Sequence, residues 1–139
     1  MLAEQNKAVT RGFVDAFSRH DLEECEPFLD ENIVVHGTQD LPPGREGYKA
    51  LGATFLAAFP DSTVVIEDML SEGDKVVTRY MYKATHQGEL QGIPATGKQI
   101  AVPGIAIDRV VDGKIVERWD LLDQMALMQQ LGVIPAPGQ

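Results

Sequence analysis

The apolar residues of this chain change period at Pro60. Upstream, Val9, Phe13 and Phe17 fall four apart, and Tyr48, Leu51, Phe55 and Ala58 recur at three or four, the spacing of one helical face. Downstream, STVVIEDML, KVVTRYMYKATH, QIAVPGIAIDRV and KIVERWD alternate with period two and are rich in β-branched and aromatic residues. Helices gathered in one part of a chain and strands in another give an α+β fold. The spacing predicts helices over roughly 3–18 and 45–59. Between them lies a short helix capped by Asp21, with Glu24 completing the capping pattern, and then a short strand in ENIVVHG. The DLPPG stretch is a loop, because paired prolines break both regular structures. SEGDK is a turn, VDGK is a hairpin turn, and LLDQMALMQQLG is a short amphipathic helix that stops at Gly132. QGELQGIPATGK reads as a loop or irregular hairpin. Pro103 and Gly104 suggest a bulge that curves the sheet. A curved, mostly antiparallel sheet wrapped around the N-terminal helices makes a cone-shaped barrel whose cavity holds one small ligand.

Composition narrows the partners. The 139 residues suit a single domain spanning 1–139, and 44% apolar residues suffice for its own core. A formal charge of −9 argues against nucleic acid, whose phosphates need a basic surface, and against anionic membrane surfaces. The lone Cys25 has no internal disulfide partner, and no run approaches ~18 apolar residues, so a cytoplasmic protein is expected. Only the tail, IPAPGQ, reads as loose.

Two carboxylates, Asp120 and Asp123, sit where the last strand gives way to the last helix. Asp120 has two readings. It can cap the helix beginning near Leu121 or Leu122, a role open to Asp123 as well. It can instead point into a pocket as a general base. Strand parity decides, and the hairpin turn decides parity. A two-residue loop, Asp112-Gly113, sets Asp120 opposite Ile105. A three-residue loop, Val111 to Gly113, sets it opposite Gly104 and puts Arg118 opposite Ala106. The second is preferred. It gathers Gly104, Ala106, Asp108, Arg118 and Asp120 on a face of small and polar groups that can line a cavity. It leaves Ile105, Ile107, Ile115 and Trp119 on an apolar face suited to core or to a second subunit. A base acting on a carbon acid needs desolvation to raise its pKa and a donor for the developing enolate oxygen.

Other residues could join such a site. His36, at the end of the short strand, could be a pocket donor or a partly exposed strand end. His86, beside the glycine-rich loop, could bind substrate or anchor the loop. Arg79 alternates with Tyr80 and Tyr82, and parity alone leaves open which set faces inward. His36, His86, Asp108 and Asp120 match no compact metal-ligand spacing, so no metal is expected.

Several segments carry a family likeness: AAFPD, EGDKVVTRY, ATHQGELQGIPATGK, DRVVDGKIVERWD and MALMQQLG. With them the chain resembles the SnoaL-like polyketide cyclases, part of the ester-cyclase group within the nuclear-transport-factor-two-like fold. The resemblance implies a cone-shaped α+β domain, often a homodimer or higher homo-oligomer, without metal or organic cofactor. It implies intramolecular aldol ring closure on an anthraquinone-type ester, with the aspartate matching Asp120 as acid and base. It also marks a departure, since the cyclases carry a histidine at the position of Ala106. The expected function is therefore cofactor-independent proton abstraction next to a carbonyl of an apolar small molecule, with Asp120 catalytic and His36, His86, Arg118 and Asp108 binding substrate. An isomerase or epoxide hydrolase on the same scaffold, or a non-catalytic binding protein, is the alternative.

Overall fold

The computed structural model describes residues 2–37 and 42–135. The start of the DLPPG loop and most of the IPAPGQ tail lie outside them. Helix α1 (Leu2–Ser18) buries Phe13, Val14 and Ala16. It ends where His20 takes a left-handed conformation (φ 64°) and the Asp21 N–H reaches back to the Ala16 carbonyl. Asp21 then caps α2 (Leu22–Cys25) by accepting the Glu24 N–H at 3.1 Å. A 3-10 turn (Glu26–Phe28) leads into strand β1 (Leu29–His36), which is followed by α3 (Gly44–Ala58). Four long strands come next: β2 (Thr63–Glu72), β3 (Lys75–Thr85), β4 (Gln99–Val111) and β5 (Lys114–Leu122). Helix α4 (Gln124–Leu131) follows them, closed by Gly132 at φ 82°.

The strands form one sheet in the order β1-β5-β4-β3-β2, with β1 parallel to β5 and the other pairs antiparallel. Helices α1 and α3 pack against the sheet, whose end strands β1 and β2 do not pair with each other, so it remains open. Helix α1 runs along β2 and α3 along β1, so both edges are partly covered.

Burial alternates residue by residue along β3 and β4. Tyr80, Tyr82 and Ala106 face the helices, whereas Arg79, Met81 and Ile105 face outward. The β4–β5 hairpin combines the two expected geometries. Its loop is the two-residue Asp112-Gly113, both at positive φ (51° and 78°), as a tight hairpin turn requires. The face, however, is that of the three-residue alternative, because β5 carries a bulge. Val110 pairs with Ile115 and Arg109 with Glu117, so Val116 has no opposite number. The bulge sets Asp120 opposite Ala106 and Arg118 opposite Asp108. It also turns Ile115 into the core, fully buried, contrary to its expected outward position.

Pro103 and Gly104 form no bulge, since the β3–β4 register runs unbroken through both. Proline is tolerated there because β5 ends at the Gly104–Leu122 pair, so the ladder has almost run out. Beyond that point, the Asp123 N–H bonds to the Pro103 carbonyl and the Gln130 side chain pairs with both backbone groups of Ala101. Gly104 is needed for another reason. The Tyr80 ring crosses it so closely that a Cβ at this position would clash with the ring.

The helix-facing side holds two apolar clusters. One contains Phe59, Tyr80, Leu90, Val102, Ala106 and Leu127. The other contains Phe13, Cys25, Leu29, Val76, Val110 and Ile115. Along β4 the order Ala106, Asp108, Val110 passes from the first cluster to the second, so a buried carboxylate marks the seam between them.

Two outcomes are expected. Burial pushes the Cys25 thiol up to about 11 and leaves it 1% exposed. A thiol reagent at pH 8 should therefore label native protein only at the rate of local or global opening, and label it at once in denaturant. Gly104→Ala should lose about 1–3 kcal/mol in chemical denaturation, the usual cost of overpacking, because Tyr80 must move.

Candidate active site

Asp120 lies on the helix-facing side of β5, next to the small Ala106 of β4. Its Oδ1 accepts the Tyr80 hydroxyl at 2.6 Å. Burial and the Asp120 charge both push the Tyr80 phenol well up, so it keeps its proton and acts as the donor. The Asp120 side chain is 23% exposed, half-buried rather than sealed. It is not the helix cap. β5 continues to Leu122, and Asp123 caps α4 by accepting the Ala126 N–H at 2.9 Å.

Arg118 points the same way two residues earlier. Its Nη1 donates to both oxygens of Asp108, at 2.7 and 2.9 Å, and its Nη2 lies 3.6 Å from Asp120 Oδ2. Asp108 is fully buried, and its Oδ2 also accepts the Thr10 hydroxyl of α1 at 3.0 Å. Burial disfavours the charge on Arg118, but Asp108, Tyr48, Asp120 and Tyr80 together outweigh it and hold the guanidinium protonated. Burial pushes the Asp108 carboxyl above the usual carboxylate range, against the pull of Arg118 and Thr10. The Phe13 ring lies under the guanidinium at 5.1 Å, and Tyr48 of α3 packs on Phe13 at 6.0 Å with its phenol near Arg118. Within the row, Thr78 is buried on β3 opposite Ala106, and its hydroxyl has no partner among the described residues.

Thus Asp108, Arg118 and Asp120 come together as expected, joined by Tyr80, Thr10 and Tyr48. The two histidines do not join them. His36 pairs with Trp119 across β1–β5, stacks on its ring at 5.1 Å and bonds Glu117 at 2.8 Å, all on the outer face. Parity puts it there, since Trp119 and Asp120 are adjacent in one strand. His86 is fully buried beside Phe59, and its Nδ1 accepts the Thr96 N–H at 3.2 Å, which fastens the 87–98 loop. Arg79 pairs outside with Asp68 at 2.6 Å. Among the described residues, no three His, Cys, Asp or Glu side chains are grouped to hold a metal ion, and no helix is long and apolar enough to cross a membrane. Tyr80 was missed because parity alone could not orient β3. The available signal was Gly104, a mid-strand glycine that leaves room for a ring on its neighbour.

Comparison with known proteins completes the picture. The chain is 29% identical over 128 residues to the aklanonic acid methyl ester cyclase DnrD of Streptomyces peucetius, covering 89% of this chain and 88% of that protein. The structure of AclR from Streptomyces galilaeus, assigned as a hydroxylase, superposes with a TM-score of 0.88 at 30% identity, covering 99% of this chain and 87% of that one. IdmH from Streptomyces antibioticus, assigned as a polyketide cyclase, matches at 34% identity with a TM-score of 0.81, over 92% of this chain and 99% of that one. The family model for SnoaL-like polyketide cyclases matches residues 7–131, nearly the whole described structure, and the chain belongs to that family.

Proposed function

We propose that this protein closes a ring in an ester-bearing polyketide by intramolecular aldol addition, with Asp120 as both base and acid. One observation carries the reading: the Asp120 carboxylate sits on the helix-facing side of the sheet with a protonated phenol 2.6 Å away and a guanidinium 3.6 Å away. A base, a neutral donor and a positive charge are the groups an enolate-forming site needs. The ester-cyclase relative supports the substrate class.

Asp120 takes the proton from the carbon next to a carbonyl, and the C–H electron pair becomes the enolate. Tyr80 turns its hydroxyl toward the enolate oxygen, and the Arg118 charge offsets the negative charge that develops. The enolate carbon attacks a second carbonyl of the same molecule, held folded against it. The new alkoxide takes the proton back from Asp120, so the product is an isomer of the substrate and the enzyme is restored. Tyr80 and Arg118 fill the donor role assigned earlier to His36 and His86. With an aklanonic-acid-type methyl ester as probe, the native protein should give the cyclised isomer. Asp120→Asn should lower turnover by about 10²–10⁴-fold, the usual worth of a general acid-base. Equal turnover by both proteins would remove Asp120 from the reaction.

We also propose that two copies pair through the outer sheet face. Ile105 and Leu121 are exposed there, beside Met81, Pro103, Ile107 and Trp119, around a hollow of about 440 Å³. The Arg79–Asp68 and Arg109–Glu117 pairs on this side are each internally neutral, so a two-fold copy meets the face without net repulsion. Light scattering should find a dimer at micromolar concentration and a monomer for Leu121→Glu. A monomeric native protein would overturn the pairing.

A further inference from the structure

The inner face holds two carboxylates and one guanidinium, and the division between them is uneven. Arg118 spends one nitrogen on both oxygens of Asp108, at 2.7 and 2.9 Å. Its other terminal nitrogen stands 3.6 Å from Asp120, beyond hydrogen-bond distance. The allotment follows from depth. Asp108 is fully buried, and a buried carboxylate left without a counter-charge is costly, so it holds the cation. Asp120 is shallower, with its side chain 23% exposed and Tyr80 as its close partner.

We propose that Asp108 is a positioning residue for Asp120: by keeping Arg118 to itself, it prevents the guanidinium from closing on the Asp120 carboxylate and leaves that carboxylate free to take a proton. The inference rests on the reading of Asp120 as the base. Every neighbouring element contributes to the balance. β3 supplies Tyr80, β4 Asp108, β5 Arg118 and α3 Tyr48, while α1 supplies Thr10, which fixes the far oxygen of Asp108 at 3.0 Å. Asp123 plays no part, because its carboxylate is turned to the start of α4. Neutralising Asp108 would release a buried cation whose nearest remaining carboxylate is Asp120. A closed Arg118–Asp120 pair would favour the charged carboxylate and make it a weaker base.

The test reads the carboxyl directly and needs no substrate. The Asp120 side-chain carbon is followed by ¹³C NMR through a pH titration of the full chain and assigned by its loss in Asp120→Asn. In Asp108→Asn the Asp120 titration should move down by about one pH unit or more, while in the double variant Asp108→Leu with Arg118→Met, which removes a net-neutral pair, it should move by less than about half a unit. The double variant is expected to fold, since apolar replacement of a buried ion pair is often neutral or stabilising, and Asp108→Ser, which also removes the charge, carries the same expected downward movement if Asp108→Asn does not fold. No downward movement in folded Asp108→Asn would overturn the proposal. So would a rise of about a unit in the double variant, which would make Arg118 the counter-ion of Asp120 itself. A role for Asp108 in folding alone would move neither titration. If the titrations behave as expected and Asp120→Asn still turns over substrate, the base assignment falls while the division of charge stands.

Discussion

The buried Asp108–Arg118 ion pair is the interaction on which the rest of this structure depends. It lies across β4 and β5, so it records the register of that hairpin. Through the Thr10 hydroxyl it also ties the hairpin to α1, joining the helical third of the chain to the sheet. A one-residue slip of β5 would carry Arg118 and Asp120 to the outer face and strand Asp108 without a counter-charge. Apolar packing alone specifies such a register weakly, because β-branched residues stand on both faces of these strands. The ion pair makes a wrong register expensive, which is a better account of its presence than any large gain in stability.

That arrangement also explains the location of the site. The two apolar clusters meet along a line crossing Asp108, and the polar groups of the site occupy the line. On one side Ala106 and Gly104 keep the sheet surface low, so Tyr80 can lean across to Asp120. On the other side Phe13 and Tyr48 roof the guanidinium. A small residue at Ala106, where the resemblance implies a histidine, leaves the phenol of Tyr80 as the close donor to the carboxylate.

Much of this was legible in the sequence, for identifiable reasons. The change of period after Pro60 marked the helices and strands, because amphipathic helices and half-buried strands impose different spacings on apolar residues. The membership of the polar face was legible too, since Gly104, Ala106 and Asp108 share parity, as do Arg118 and Asp120. The pairing across that face was not. It depends on the bulge at Val116, and no residue type there announces an unpaired position. His36 was misplaced because its side depends on the parallel partner of β1, which is remote in sequence. The cap at Asp123 and the inward aspartate at Asp120 could be told apart only once the end of β5 was known.

The parallel pairing of β1 with β5 carries a consequence for how the molecule assembles. Leu29 finds its partner at Ile115 and His36 finds its partner at Trp119, so the first strand waits for the last. Helix α1 can dock on β2 and β3 before β5 exists, whereas β1 has no strand to pair with until β5 has been made. High contact order of this kind slows folding and prolongs the exposure of apolar strands. The strand bearing Asp120 is also the one that ties early and late segments together, so the site is built on the strand that joins the two ends of the fold.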